Sequence, residues 1–322
     1  MHNQIIRTCL AAALVSLLSP ALAQTYPSKP IRIVIGTPAG GGSDLMTRLV
    51  GQQFTQAWGQ QVIMDARPGA SGNIAAELVA KSAPDGYTLY VCYGTHTVNP
   101  SLYAKAGYEP IKDFTPISLI AFQYNALVVH PSVPAKTVKE LVALARSRPG
   151  KMNYASSGNG SPTHLGMELF KIAARIDLTH IPYKGAAPSR ADLMGGHIDT
   201  MFDVLRTALP FHETGRARIL AVGSERRSAL APNIPTVDES GYQGIVVRSW
   251  HALLAPAGTP PAIAEQLQGE MKRGLLASPL KEKLAKDGID VVASTPAELD
   301  AFMRADVAKW KTVVQTARIR AD

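Results

Sequence analysis

Two clusters of small and hydroxyl-bearing residues are placed to hold an anion. The first is Thr37-Pro-Ala-Gly-Gly-Gly-Ser-Asp44, the second Ser156-Ser-Gly-Asn-Gly-Ser-Pro-Thr-His164. Glycines such as Gly41 and Gly42 carry no side chain, so their N–H groups can turn toward a guest. Ser43 suits an N-cap and Asp44 the positive end of a helix, so the run ends where a helix begins. In the second cluster Ser161 is an N-cap and Pro162 stands at the first helical position. A strand, a glycine turn and a helix start form a geometry that binds small anions, although the same turn also occurs at βα junctions that hold nothing. The two clusters are one physical device used once in each half, not a detectable repeat.

The elements that must position these clusters follow from periodicity. Ile31 to Ile35 is an apolar, β-branched run of the buried-strand type. Met46, Val50 and Phe54 mark the buried stripe of the helix that follows. A strand over Gln61–Met64 leads to the turn-rich loop Arg67–Asn73, which holds Ser71. Apolar spacing at Ile74, Leu78 and Val79 predicts a helix over 74–82. Tyr87–Tyr93 is a third strand, followed by the polar loop Gly94–Pro100 with Thr95 and His96. Units of about 30 residues with alternating strands and helices indicate α/β architecture with a mainly parallel sheet. Ligands of such sheets gather at loops after the carboxyl ends of strands, which selects Thr37–Asp44, Arg67–Asn73 and Gly94–Asn99.

The apolar runs Ile117–Ala121 and Asn125–His130 predict a crossing between two domains, and Ser249–Ala255 the return. Between them lie a helix over Val138–Ala145 and a strand over Met152–Ala155. A helix then carries Leu165, Leu169 and Ile172, and strands follow at 179–185, 197–203 and 218–222. A helical tail bears Ile263, Leu267, Met271, Leu299, Met303, Val307 and Trp310. The expected domains are 24–124 with 250–322, and 125–249.

Composition narrows the function. The chain has 322 residues, enough for two domains, and a net charge of +8. Arg7, the apolar run Cys9–Leu18 and Ala21-Leu-Ala23 read as a cleaved secretory signal over 1–23. Arg7 is the only charged side chain there, so the remainder carries +7. The cations are scattered, with no basic run interleaved with aromatics, which disfavours nucleic acid. Cys92 is then the one remaining cysteine, read as a buried thiol. No later stretch approaches transmembrane length, so a soluble exported protein is expected.

Taken in order, several motifs resemble the tripartite tricarboxylate transporter substrate-binding proteins of the Bug/TctC type. They are Pro-Ala-Gly-Gly-Gly-Ser-Asp (38–44), Arg-Pro-Gly-Ala-Ser-Gly-Asn (67–73), Ala-Pro-Asp-Gly-Tyr-Thr-Leu (83–89) and Asn-Pro-Ser-Leu-Tyr (99–103). Tyr-Ala-Ser-Ser-Gly-Asn-Gly-Ser-Pro-Thr-His-Leu (154–165), Pro-Tyr-Lys-Gly (182–185), Met-Phe-Asp (201–203) and Ala-Pro-Ala-Gly-Thr-Pro (255–260) continue the series. The resemblance covers essentially the whole chain after residue 23. It implies a two-domain periplasmic-binding-protein (Venus-flytrap) fold with a small carboxylate in the cleft between the domains. It also implies membrane partners of a tripartite transporter, a monomer, and no cofactor or metal. This chain has Thr37 where the family tends to have an aromatic, and Arg206 follows Met-Phe-Asp where a small residue or proline is usual.

Carried onto this sequence, the binding set is Thr37, Ala39, Gly41, Gly42, Ser43 and Asp44 on the first loop, with Ser71, Thr95 and His96 beside it. Ser156, Ser157, Gly158, Ser161, Thr163 and His164 face them, with Tyr183 and Asp203 as additions. Asp44 either accepts N–H bonds from its own loop or meets a ligand ammonium or bridging water. Asp203 is either an end-of-strand structural acid or a ligand contact. His96 and His164 are either packed or donors, and Tyr183 either closes the pocket or packs in a core. The competing functions are a Ser/His/Asp hydrolase and a ligand-loaded partner of a sensor kinase. No Gly-x-Ser-x-Gly elbow, metal-spaced His/Cys cluster or nucleotide-binding loop supports an enzyme.

Overall fold

The structure is a computed structural model that describes residues 26–38, 41–316 and 319. The expected signal over 1–23 and the candidate Ala39 lie outside the described residues. β1 (Ile31–Ile35) pairs in parallel with β2 (Val62–Ala66) and β3 (Thr88–Tyr93). β5 (Asn153–Ser156) does the same with β6 (Thr179–Pro182) and β7 (Thr200–Val204). Between these parallel triplets run β4 (Phe114–Val129) and β9 (Arg248–Pro256), antiparallel to each other and to their neighbours. β8 (Arg218–Val222) and β10 (Ile289–Val291) also pair with β4. The sheet is therefore mixed, with helices on its faces.

Two apolar clusters draw only on residues before 123 and after 249, and two only on residues 124–247. β4 serves both groups, since its first half pairs with β9 and its second with β7 and β8. The two apolar runs expected around 117–130 are one strand. The C-terminal end of β3 lies beside His251 of β9 and that of β7 beside Asn125 of β4, with β1 and β5 the next strands outward. Both triplets thus aim their loops at the same few residues of the crossing.

Several expected elements shift. The helix after the first loop is Gly42–Trp58, capped by Gly41 with no side-chain cap, so Ser43 lies inside it. The expected loop 94–100 is the helix Thr95–Leu102, with Pro100 inside it. Proline supplies no N–H for the His96 carbonyl, and the Tyr108 hydroxyl donates to that oxygen instead at 3.0 Å. In the helix Asn73–Ala80 the buried face is Ala75, Ala76 and Val79, while Ile74 is 51 % exposed. Small residues are needed there because the backbones cross closely: a Cβ on Gly36 would lie 2.6 Å from Gly72 Cα. In the helix Pro162–Ala174, Leu165, Met167 and Phe170 are buried and Ile172 is 53 % exposed.

Gly36→Val should destabilise the protein by about 3 kcal/mol or more, because overpacking here meets backbone rather than a movable side chain. Urea unfolding tests this; a loss under about 1 kcal/mol would show that the crossing yields.

Candidate functional site

The first loop and its helix start meet the crossing at Gly42. A Cβ there would lie 3.0 Å from His251 Cε1, 3.1 Å from Gln123 Oε1 and 3.2 Å from His251 Nε2. Because side chains alternate along a strand, Gln123 and Asn125 of β4 share a face with Ser249 and His251 of β9. Phe122, Arg248 and Trp250 take the other face, where Arg248 lies over the Phe122 ring and Trp250 meets Phe302. The helix Gly42–Trp58 thus opens, with a glycine and so no capping side chain at its N-cap, onto a polar row in which Gln123, Asn125 and His251 are buried and Ser249 half-buried.

Several atoms here lack hydrogen-bond partners among the described residues. Thr37 Oγ1, Asn125 Oδ1 and His251 Nδ1 are buried and unpartnered. Asn125 Nδ2 donates to Val247 O at 3.2 Å and to Ser249 Oγ at 3.3 Å, which fixes Oδ1 as the outstanding acceptor. His251 is 4 % exposed, and burial alone lowers its pKa to about 4. It is neutral at physiological pH.

The second loop is a tight polar knot. Thr163 Oγ1 accepts from Ser157 N at 3.1 Å and shares hydrogens with Ser157 Oγ at 3.2 Å and Ser161 Oγ at 3.1 Å. Ser161 caps its helix by accepting from His164 N, as its sequence position predicts. Gly160 N donates to His164 Nδ1 at 3.1 Å, which leaves that nitrogen unprotonated. Ser156 Oγ lies 2.7 Å from His180 Nε2 and accepts from Gly158 N. The His180 ring stacks between His164, at 4.0 Å, and Tyr154, at 4.7 Å. Burial, with Lys171 nearby, lowers the His164 pKa to about 4.

The two loops are linked through the loop after β2. Gly36 abuts Gly72, and Ser71 Oγ donates to Asn159 O across the domains at 3.3 Å. The Ser71 carbonyl accepts from Thr95 Oγ1 at 2.9 Å and Asn99 Nδ2 at 3.0 Å. Gly94 lies against Pro162, and Gly160 against Leu102 and Val98. Gly94, Gly160 and Pro162 also border a cavity of about 420 Å³ whose far wall includes Trp250, Phe302 and Trp310. That cavity lies on the Trp250 face of the crossing, opposite the His251 face that Gly42 meets; the second loop touches the loop after β2, which abuts Gly36 at the start of the first loop.

Other candidates are committed elsewhere. His96 is buried in an aromatic cluster, stacked on Tyr108 at 5.0 Å with Nε2 3.0 Å from Pro110 O, and burial lowers its pKa to about 4. Asp203 receives Nε of Arg190 at 2.5 Å and Nη2 at 2.8 Å, plus its neighbour Val204 N at 2.9 Å. Asp44 pairs with Arg48 at 3.1 Å. The Tyr183 hydroxyl donates to Asp192. Arg206 is exposed, with its Cβ on the Gly288 side. Sequence reasoning missed Gln123, Asn125, Ser249 and His251. The polar break between two apolar runs was their signal, but only strand register shows that they share a face.

A two-domain α/β scaffold with loops converging on shared crossing strands is that of periplasmic binding proteins. Residues 46–319 match the tripartite tricarboxylate transporter family receptor, and the chain belongs to that family of solute-binding, non-enzymatic proteins. BugT of Bordetella pertussis is 32 % identical over 94 % of both chains. Among solved structures, R. palustris Rpa4515 with adipate is 35 % identical, covers 92 % of this chain and 99 % of its own, and has a TM-score of 0.87. MatC from Rhodopseudomonas palustris with bound malate is 30 % identical over 90 % of this chain and 100 % of its own, with a TM-score of 0.83.

Arg190→Ala leaves the Asp203 carboxylate buried without its cation and should cost about 3–5 kcal/mol in urea unfolding. A loss below about 1 kcal/mol would contradict the pairing. The three buried histidines give a pH signature. Each is held neutral with a pKa near 4, whereas the unfolded chain takes up the proton near 6.5. Their stabilisation is full above about pH 6.5 and is lost as pH falls toward 4. His96→Phe, which keeps the ring contacts, should flatten that decline; an unchanged profile would assign it to other groups.

Proposed function

We propose that this protein is an exported, periplasmic solute-binding protein that captures a small carboxylate between its domains for a tripartite tricarboxylate-type transporter. The observation that carries this reading is the start of the helix Gly42–Trp58, with a glycine at its N-cap, set against polar atoms of Thr37 and His251 that are buried and unpartnered among the described residues. Backbone N–H groups at Gly42 and Ser43 hold the carboxylate on one side, where the helix dipole favours negative charge. Ser157, Gly158, Ser161 and Thr163 approach from the other domain. The adipate and malate held by two relatives are of the same chemical kind. Among the described residues no helix is long and apolar enough to cross a membrane.

A charge-assisted hydrogen bond contributes about 1.5–3 kcal/mol net. Three or four, less the cost of association, give about −8 kcal/mol, which is micromolar affinity. Only a closed arrangement lets both loops touch one ligand, so binding favours closure and the closed shape is what the membrane subunits recognise.

Calorimetry over a panel of mono- and dicarboxylates should find at least one ligand of micromolar or tighter affinity. Gly42→Val should abolish its binding, since the added carbons occupy the space between the helix start and His251. Unchanged affinity in that variant would remove the first loop from the site.

A further inference from the structure

We propose that an apolar latch between the C-terminal helix and the second domain holds the two domains together before any ligand binds, and so sets part of the affinity from outside the ligand site. The inference goes beyond the carboxylate reading and stands on the two-domain fold alone. The C-terminal helix, Pro296–Thr316, carries one apolar stripe with two destinations. Leu299 and Met303 pack in the first domain's core with Phe122 and Trp250. Two and three turns further on, Trp310 and Val314 join a different cluster. They meet Val98 and Leu102 of the helix Thr95–Leu102, and Leu165 of the helix Pro162–Ala174 in the second domain. Val98, Leu165 and Val314 are at most 4 % exposed.

The first-domain half of this cluster is fixed by polar contacts. Asp306 accepts from Thr97 Oγ1 at 2.6 Å and from Trp310 Nε1 at 3.0 Å, which orients the indole and ties the two helices. Leu165 offers only carbon, so burial alone holds it to that half. Burial has no fixed direction, and such a contact can part and re-form as the domains turn. The latch continues the contacts that the second loop makes with the first domain. Gly160 abuts Leu102 and Val98, Gly94 abuts Pro162, and Ser71 Oγ donates to Asn159 O. Bringing the second loop to the first domain therefore makes the latch as well. The cavity of about 420 Å³ beside it has walls from both domains, Leu165 and Val246 from one, Phe302 and Trp310 from the other. Unfilled space forfeits packing, so the latch biases closure without locking it. Apparent affinity is the intrinsic affinity multiplied by the fraction of protein already closed, so residues that never touch the ligand contribute to it.

The test measures domain separation by pulsed electron spin resonance between labels on Lys81→Cys and Lys139→Cys, one exposed position in each domain. The native Cys92 is fully buried and takes no label. Without ligand, the labelled protein should show a population at the separation of this structure. Trp310→Ala removes the largest apolar member of the latch. Gly94→Ala acts by the opposite means, since its Cβ would lie 2.9 Å from Pro162 Cγ and wedge the domains apart. Gly94 has φ −46°, so alanine brings no backbone strain there. Each variant should lower the closed population about threefold or more. Calorimetry with the panel of carboxylates should then find every bound acid weakened by that same factor, with their ranking unchanged.

A ligand-free protein with no population at that separation overturns the latch. So does an unchanged population in Trp310→Ala and Gly94→Ala once unfolding curves establish that they fold. Weakening that differs from acid to acid places these residues in the ligand site and overturns it too. If neither variant folds, the ligand-free population alone decides. If no acid of the panel binds, the carboxylate reading fails while the spin labels still decide the latch.

Discussion

A strand that changes sheets carries its side-chain alternation with it, and this constraint governs the molecule. β4 runs for sixteen residues, first beside β9 and then beside β7 and β8. Its odd and even positions cannot exchange faces between Ala121 and Asn125 without breaking the ladder. Gln123 and Asn125 therefore meet Ser249 and His251 on one side, while Phe122 and Trp250 build the aromatic packing on the other. The parallel triplets on either flank bring their loops to these residues, and the carboxyl ends of parallel strands are where helix N-termini collect. The anion-binding geometry and the polar row thus share one cause.

Burial makes this arrangement exacting, because buried polar groups need partners from the chain, from water or from a ligand. In the second loop Thr163, Ser157 and Ser161 are tied to one another, which fixes the loop's shape, and the His164–His180–Tyr154 stack lies behind them. Asp203 is held by Arg190. Thr37 Oγ1 on the first loop, with Asn125 Oδ1 and His251 Nδ1 on the crossing, lacks a partner among the described residues, as do Thr47 Oγ1, His96 Nδ1 and Asn99 Oδ1 elsewhere in the molecule.

Much of this was legible in the sequence. Arg218–Val222 is the observed strand because charge and turn residues bound an apolar run tightly, and Ser161-Pro162 opened a helix as capping chemistry requires. The segment 94–100 was not legible. Threonine, histidine, asparagine and proline are poor helix formers, and tertiary bonds override their preference. Thr97 donates to Asp306 at 2.6 Å, Asn99 to Asn73 at 2.6 Å, and Tyr108 serves the carbonyl that Pro100 leaves unpaired. Ile74 and Ile172 misled for a related reason: where helix and sheet cross closely, the alanines or the neighbouring Phe170 go inward and the large residue is displaced outward. The site's floor was hidden because residues 123 and 251 are brought together by register alone.

The most direct measurement is backbone amide NMR during titration with a bound carboxylate. The amides of Gly42 and Ser43 and those of Ser157 and Gly158 should shift together along one saturation curve, because one ligand bridges both domains. Shifts confined to one loop, or two sets saturating at different concentrations, would contradict a shared grip.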